Sequence, residues 1–151
     1  MKVLNLVSPL ERAYRDTTYR VDHPDGAIDL RIGVSNARLG ALLAAHGVDR
    51  WAFISAANPR SEQISGKDNA LRNKALRDAV SGAGHAVYPG RGVPDHGDWP
   101  PEDSLLVLGI GLDAALALGR RHGQLAIVAG EAGGCAVLHW CGGGDGDRMT
   151  R

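Results

Sequence analysis

Two hydrophobic periods alternate along the chain. Ile28, Leu30 and Ile32 alternate with Asp29 and Arg31, the pattern of a strand with one wet face. Upstream, across the turn signal Asp25-Gly26, lies Thr17-Thr18-Tyr19-Arg20-Val21, which is β-branched and aromatic, so the two segments are expected to pair as a hairpin. From Asn36 to His46 the period becomes helical: Leu39, Leu42 and Leu43 share a face and Gly47 is the stop. Trp51–Ala57 is apolar almost throughout and reads as a buried strand. A second helix is expected from Ser65-Gly66-Lys67-Asp68 to about Gly82. A third spans Leu112 to His122, with Arg120, Arg121 and His122 in the last turn, where cations are favoured. Ahead of these, Ser8-Pro9-Leu10-Glu11 starts a short helix that carries Tyr14. Ser8 caps it, Pro9 takes the first helical position and Glu11 reaches back as a capping box.

The second half has fewer clear periods. Ala86-Val87-Tyr88 and Ser104–Leu108 read as strands, separated by a Gly/Pro-rich stretch from Pro89 to Pro101 that is expected to be a loop. Gln124–Ala129 and Cys135–Trp140 are the closing strands. The order of elements implies an α/β (α+β) fold, with a mixed β-sheet covered by about three main helices in a single domain over residues 1–141. Residues 142–151, rich in Gly and Asp, are expected to form a flexible tail.

Composition narrows the function classes. Apolar residues make up 44% and charged residues 23%, which fits a globular chain able to bury a core without staples. Seventeen basic residues balance seventeen acidic ones, so neither nucleic acid nor an anionic membrane is an expected partner. Two cysteines make no disulfide framework, the opening MKVLNLVSPLER is too short for a signal peptide, and no apolar run reaches the ~20 residues of a membrane span. A soluble cytoplasmic protein is the expectation.

Candidate chemistry gathers around charges in apolar settings. On the helix after Ser65, Leu71, Ala75, Leu76, Ala79, Val80 and Ala83 form an apolar stripe. Arg72 falls near its middle, Asp68 well inside it and Asn69 toward its edge. An inward arginine at a helix N-terminus is opposed by the macrodipole and is costly unless paired. Either it pairs with Asp68 or Glu102, or it holds a bound anion. Trp99-Pro100-Pro101-Glu102-Asp103-Ser104 precedes the apolar run Leu105–Leu108, placing Glu102 at the start of a strand where a low-dielectric setting suits acid–base work. Ser104 is its candidate hydrogen-bonding partner, although no G-x-S-x-G elbow marks it as a nucleophile.

Two further motifs weigh less. Gly109-Ile110-Gly111-Leu112-Asp113-Ala114, with Glu131 22 residues after Gly109, matches a dinucleotide fingerprint, but no regular strand–helix–strand series surrounds it. Cys135, His139 and Cys141 alternate, yet offer three ligands at most and lack companion ligand spacing, so the cysteines read as small buried residues or spectators and no metal or other cofactor is expected.

The chain resembles a bacterial family catalogued as domain of unknown function 3293, from about Leu10 to Trp140. The likeness rests on Tyr14-x-x-Thr17-x-Tyr19, Phe53-Ile54-Ser55-Ala56-Ala57-Asn58-Pro59-x-Ser61, Asn69-x-x-Arg72, Trp99-x-x-Glu102-x-Ser104 and Gly123-Gln124-x-Ala126. Ser55 and Ala57 stand where the family usually has Thr and then an aromatic residue, and Leu125 interrupts a common Gln-Asn-Ala. The resemblance supplies no activity. It implies that these polar residues form one recurrent set.

The resulting expectation is a small-molecule enzyme without a metal, performing acid–base hydrolysis or group transfer on an anionic or nucleotide-like metabolite. Glu102 is the acid or base and Ser104 its partner. Asn58 and Ser61 orient the ligand, Asn69 and Arg72 bind its anionic group, and Tyr19 and Gln124 support. The alternatives are a non-catalytic ligand-binding or regulatory module using the same pocket, and a structural interaction domain in which these residues only form a buried network.

Overall fold

A computed structural model describes residues 8–142; apart from Gly142, the tail expected over 142–151 lies outside them. The first helix, α1 (Pro9–Arg15), starts as expected, with the Ser8 hydroxyl accepting from the Glu11 N–H and Pro9 in the first turn. The Glu11 carboxylate does not close a capping box; it turns along the helix to Arg15. The hairpin β1 (Thr17–Val21) and β2 (Ile28–Leu30) follows, pairing Tyr19 with Leu30 and Val21 with Ile28. Ile28 and Leu30 are buried and Asp29 is exposed, as the alternation requires.

Then come α2 (Ala37–Ala45, capped by Asn36), β3 (Arg50–Ser55), a single 3-10 turn at Pro59–Ser61, and α3 (Gly66–Gly82, capped by Ser65). The chain continues through β4 (Val87–Pro94), β5 (Glu102–Leu108), α4 (Leu112–Arg121), β6 (Ala126–Glu131) and β7 (Val137–Trp140). The strand expected at Trp51–Ala57 thus ends at Ser55, and the two closing strands each begin two residues later than expected.

The expected loop from Pro89 to Pro101 is corrected. The strand expected at Ala86-Val87-Tyr88 runs on through the first part of that stretch to Pro94 as β4, which lies between β1 and β5. Pro89 is tolerated there because its carbonyl accepts from the Asp22 N–H just past the end of β1, so its missing donor faces the point where that strand gives out. Gly90 is required for room: a Cβ would come within 2.5 Å of the Arg20 carbonyl oxygen and 3.0 Å of the Phe53 ring.

The sheet order is β2-β1-β4-β5-β3-β6-β7, and every ladder is antiparallel. Six antiparallel steps return the seventh strand to the direction of the first. The sheet curls far enough for its flanks to meet, and the bridge Ile32–Ala136 is accordingly parallel. The Gly33 N–H donates to Ala136 at 2.8 Å and the Ala136 N–H to Val34 at 3.2 Å. The fold is α+β, a seven-stranded curled sheet with four α-helices among the described residues.

Curling gives the sheet two apolar faces. On the convex face Ala52, Ile54, Leu105, Val107, Ile127 and Ala129 pack under α3 (Leu76, Val80) and α4 (Ala115, Leu118). On the concave face Trp51, Phe53, Leu106, Leu108 and Val128 meet Tyr19, Val21, Ile28 and Leu30, and α2 adds Leu39, Leu42 and Leu43. These α2 leucines plug the end of the curl where β5 finishes. Among the described residues no helix is long and apolar enough to cross a membrane.

Candidate functional site

The opposite end of the curl is open. It holds a cavity of about 670 Å³, walled by Tyr19, Phe53, Ala126 and Val128 and roofed by α1 through Leu10, Ala13 and Tyr14. Strand register explains the room. Residues directly opposite one another share a face, so Tyr19, Gly92 and Glu102 make one row across β1, β4 and β5. Gly90, Ser104 and Ser55 make the next row inward. Gly92 in the first row and Gly90, Ser104 and Ser55 in the second leave room where the next row carries Leu106 and Phe53.

Glu102 is the held carboxylate of this site. Its Oε2 accepts from the Asn58 amide at 2.8 Å and from the Trp99 indole N–H at 2.9 Å. Its Oε1 has no hydrogen-bond partner among the described residues. Asn58 is itself fixed: it is buried, its N–H donates to Asn69 Oδ1 at 2.8 Å, and its own Oδ1 accepts from Asn69 Nδ2 and the Ile64 N–H. It has a left-handed backbone (φ 45°), and so do Arg60 (φ 56°) and Ser61 (φ 62°). Three such non-glycine residues within four positions is the concentrated strain typical of constrained sites. The turn is clamped from behind, where the Arg60 N–H donates to the Gly123 carbonyl at 2.7 Å. Gly123 (φ 76°) lies so close that a Cβ would stand 2.8 Å from Pro59 Cβ.

Tyr14 reaches the cavity from α1. Burial first, then the Glu102 charge and the Cys141 thiol, push its phenol up to about 12 against a smaller opposing effect of the Ser61 hydroxyl. It is therefore neutral and a donor at ordinary pH. Tyr19 is also raised, by burial first; its hydroxyl donates to the Tyr14 carbonyl at 2.7 Å, pinning the end of α1.

Six of the eight expected site residues meet around this cavity: Tyr19, Asn58, Ser61, Glu102, Ser104 and Gln124. Ser104 donates to the Glu102 main-chain carbonyl at 3.1 Å, not to the carboxylate. Gln124 donates to the Ala57 carbonyl at 3.0 Å. Asn69 and Arg72 stand behind the wall. Arg72 pairs with neither Asp68 nor Glu102: its Nε donates to the Ala56 carbonyl at 2.7 Å and its Nη2 to the His122 carbonyl. The inward face of α3 is correspondingly corrected. Leu71 is 59% exposed and Asp68 is exposed, whereas Asn69, Arg72 and Asn73 face the chain at Ala56–Asn58 ahead of buried Leu76 and Val80. Nearby, His122 is held below its ordinary pKa by burial, then by Arg72 and Arg121, and its Nε2 is buried without a partner.

Tyr14, Phe53, Ser55 and Trp99 were not among the expected site residues. Their signal was present in the motifs around Tyr14-x-x-Thr17, Phe53 and Trp99-x-x-Glu102, whose members line one cavity. Gly109 and Gly111 lie at the far end of β5, which is flanked on both sides by antiparallel strands, not by the parallel units a dinucleotide site uses. Cys135 is exposed and Cys141 is buried. Among the described residues no three His, Cys, Asp or Glu side chains gather as a metal site.

Fold and site define an α+β protein with an open, mostly apolar cavity on the concave face of a curled sheet. Residues 54–127 match the model of the family described as Protein of unknown function (DUF3293), and over that span the chain resembles it. The match contains Asn58, Glu102 and Gln124; Tyr14 and Tyr19 fall outside it yet share their cavity. No curated protein and no solved structure matches the chain.

Proposed function

We propose that this protein is a small-molecule enzyme working by acid–base chemistry at Glu102, on a ligand held in the concave cavity. One observation carries the reading. A carboxylate with one oxygen locked by Asn58 and Trp99 leaves its other oxygen without a partner among the described residues, at the wall of a mostly apolar cavity of about 670 Å³. Glu102 takes a proton from the ligand or its attacking group, and neutral Tyr14 donates to the atom where charge develops. Hydrolysis and group transfer are the reaction classes such a pair serves. Ser61, Ser104 and Gln124 supply orienting hydrogen bonds, Tyr19 and Phe53 the apolar walls, and Asn58 with Asn69 the rigidity of the carboxylate.

The test is turnover by the folded protein. A metabolite mixture incubated with wild type and with Glu102→Gln, followed by mass spectrometry, should show a component consumed at least about 100-fold more slowly by the variant. Equal consumption by a folded Glu102→Gln protein removes Glu102 from catalysis. A second reading, a non-catalytic binding or regulatory module, is favoured by one detail: the Ser55 and Ser104 hydroxyls both donate to main-chain carbonyls, so neither is prepared as a nucleophile. In that case a component raises the thermal midpoint of the wild type and no product forms.

A further inference from the structure

We infer that the cavity selects a planar apolar ligand carrying a nitrogen donor, cationic in preference to neutral, and that it excludes carboxylates. This rests on the cavity being a ligand site. The charges around it point one way. Among the described lining residues, Glu102 is the charged group on the inner wall, and its Oε1, beside the gap at Gly92, has no partner among them. The positive groups among its described lining residues, Arg12 and His96, are exposed at the mouth, where Asp16 also stands. Arg72, the arginine best placed by sequence to hold an anion, does not line the cavity and gives one Nε and one Nη2 donor to the Ala56 and His122 carbonyls. Tyr14 stays neutral. A carboxylate entering this space meets the Glu102 carboxylate, and no buried cation among the described lining residues offsets it, whereas an N–H donor completes the open oxygen.

Shape follows from the row Tyr19–Gly92–Glu102. Gly92 supplies no side chain, so a flat body can lie over its backbone between the Tyr19 ring and the carboxylate. A Cβ placed at Gly92 would make only ordinary contacts, 3.5 Å to Thr17 Cγ2 and 4.0 Å to the Tyr19 ring. A side chain can therefore start at this position without a clash at its Cβ and grow into the ligand's place, which makes Gly92 the position that sets ligand size.

Three probes of equal size and different charge test this: benzamidine, benzamide and benzoate, titrated calorimetrically into wild type, Glu102→Gln and Gly92→Leu. Wild type should bind benzamidine at least about tenfold more tightly than benzoate, with benzamide between. Glu102→Gln should erase that ranking, and Gly92→Leu should lose all three probes while unfolding within a few degrees of wild type. The wild-type ranking needs no variant, so it decides even if Glu102→Gln fails to fold. Benzoate binding as tightly as benzamidine, or a ranking that survives in folded Glu102→Gln, overturns the ligand class alone. Probe binding that Gly92→Leu does not affect overturns the seat at Gly92. Failure of all three probes to bind wild type overturns this inference and the cavity reading together.

Discussion

The two ends of the curled sheet are made by the same strands and closed in opposite ways. At the α2 end the concave rows carry Trp51, Leu108, Leu106 and Phe53, and Leu39, Leu42 and Leu43 fill what remains. Stepping along the strands by twos toward the other end, the side chains on that face shrink. Leu106 gives way to Ser104, Phe53 to Ser55, and Tyr88 to Gly90 and Gly92, before Glu102 closes the edge. There the cover is α1, whose residues are half-buried at most, Tyr14 among them. The difference teaches that the cavity is written into three strands at once: a packed core at one end is what permits an unfilled, strained, polar-edged end at the other.

The sharpest way to break the comparison is to weaken the packed end. Leu43 is fully buried, so Leu43→Ala should cost about 2–5 kcal/mol in denaturant unfolding, through lost transfer energy and the hole left behind. The open end should keep its probe ranking as long as the variant remains folded. Loss of that ranking in a folded Leu43→Ala protein would show that the two ends are not separable.

A smaller effect separates the wall from its backing. Arg72 holds two main-chain carbonyls, so Arg72→Met should destabilise by about 1–3 kcal/mol, because those acceptors lose their donor. The preference for benzamidine over benzoate should not change. If instead benzoate or another anion loses a binding site on this substitution, Arg72 is the anion holder that the sequence suggested.

That contrast marks how far the sequence could be read. The order of strands and helices was legible because each element carries its own period or cap, as at Asn36, Ser65 and Ser8. The start of β4 at Val87-Tyr88 was legible as strand, but its continuation was not, because Pro89, Gly90, Gly92 and Pro94 carry turn chemistry in any local window. Their reason is lateral: Gly90 faces the Arg20 carbonyl and the Phe53 ring, which are distant in sequence. Arg72 was rightly placed on the inner face of α3, but its partners are carbonyls, which composition cannot reveal. The first half of that face proved polar, Asn69, Arg72 and Asn73, because it ties down Ala56–Asn58, and Leu71 was left to solvent. Glu102 was found from its place before an apolar run. Its neighbour Tyr14 lies 88 positions upstream on another element, so only the shared motif set hinted at their meeting.

The smallest expected effect concerns that meeting, and it appears only at alkaline pH. Removing the Tyr14 hydroxyl should change stability near pH 7 by less than about 1 kcal/mol, since the phenol is neutral in folded and unfolded chains alike. In the fold its pKa is raised to about 12 from an ordinary 10.0, by burial and then by the Glu102 charge. The folded chain therefore holds this proton more tightly than the unfolded chain. The contribution is fully present below about pH 10 and is lost as pH climbs through about 12. Tyr19 is raised in the same direction by its own burial, so Tyr14→Phe should flatten the alkaline fall in stability without abolishing it. Denaturant unfolding of wild type and variant at intervals above pH 9 measures the two slopes. Equal slopes would mean that Tyr14 is not enclosed beside Glu102, and α1 would then roof the cavity without supplying its proton donor.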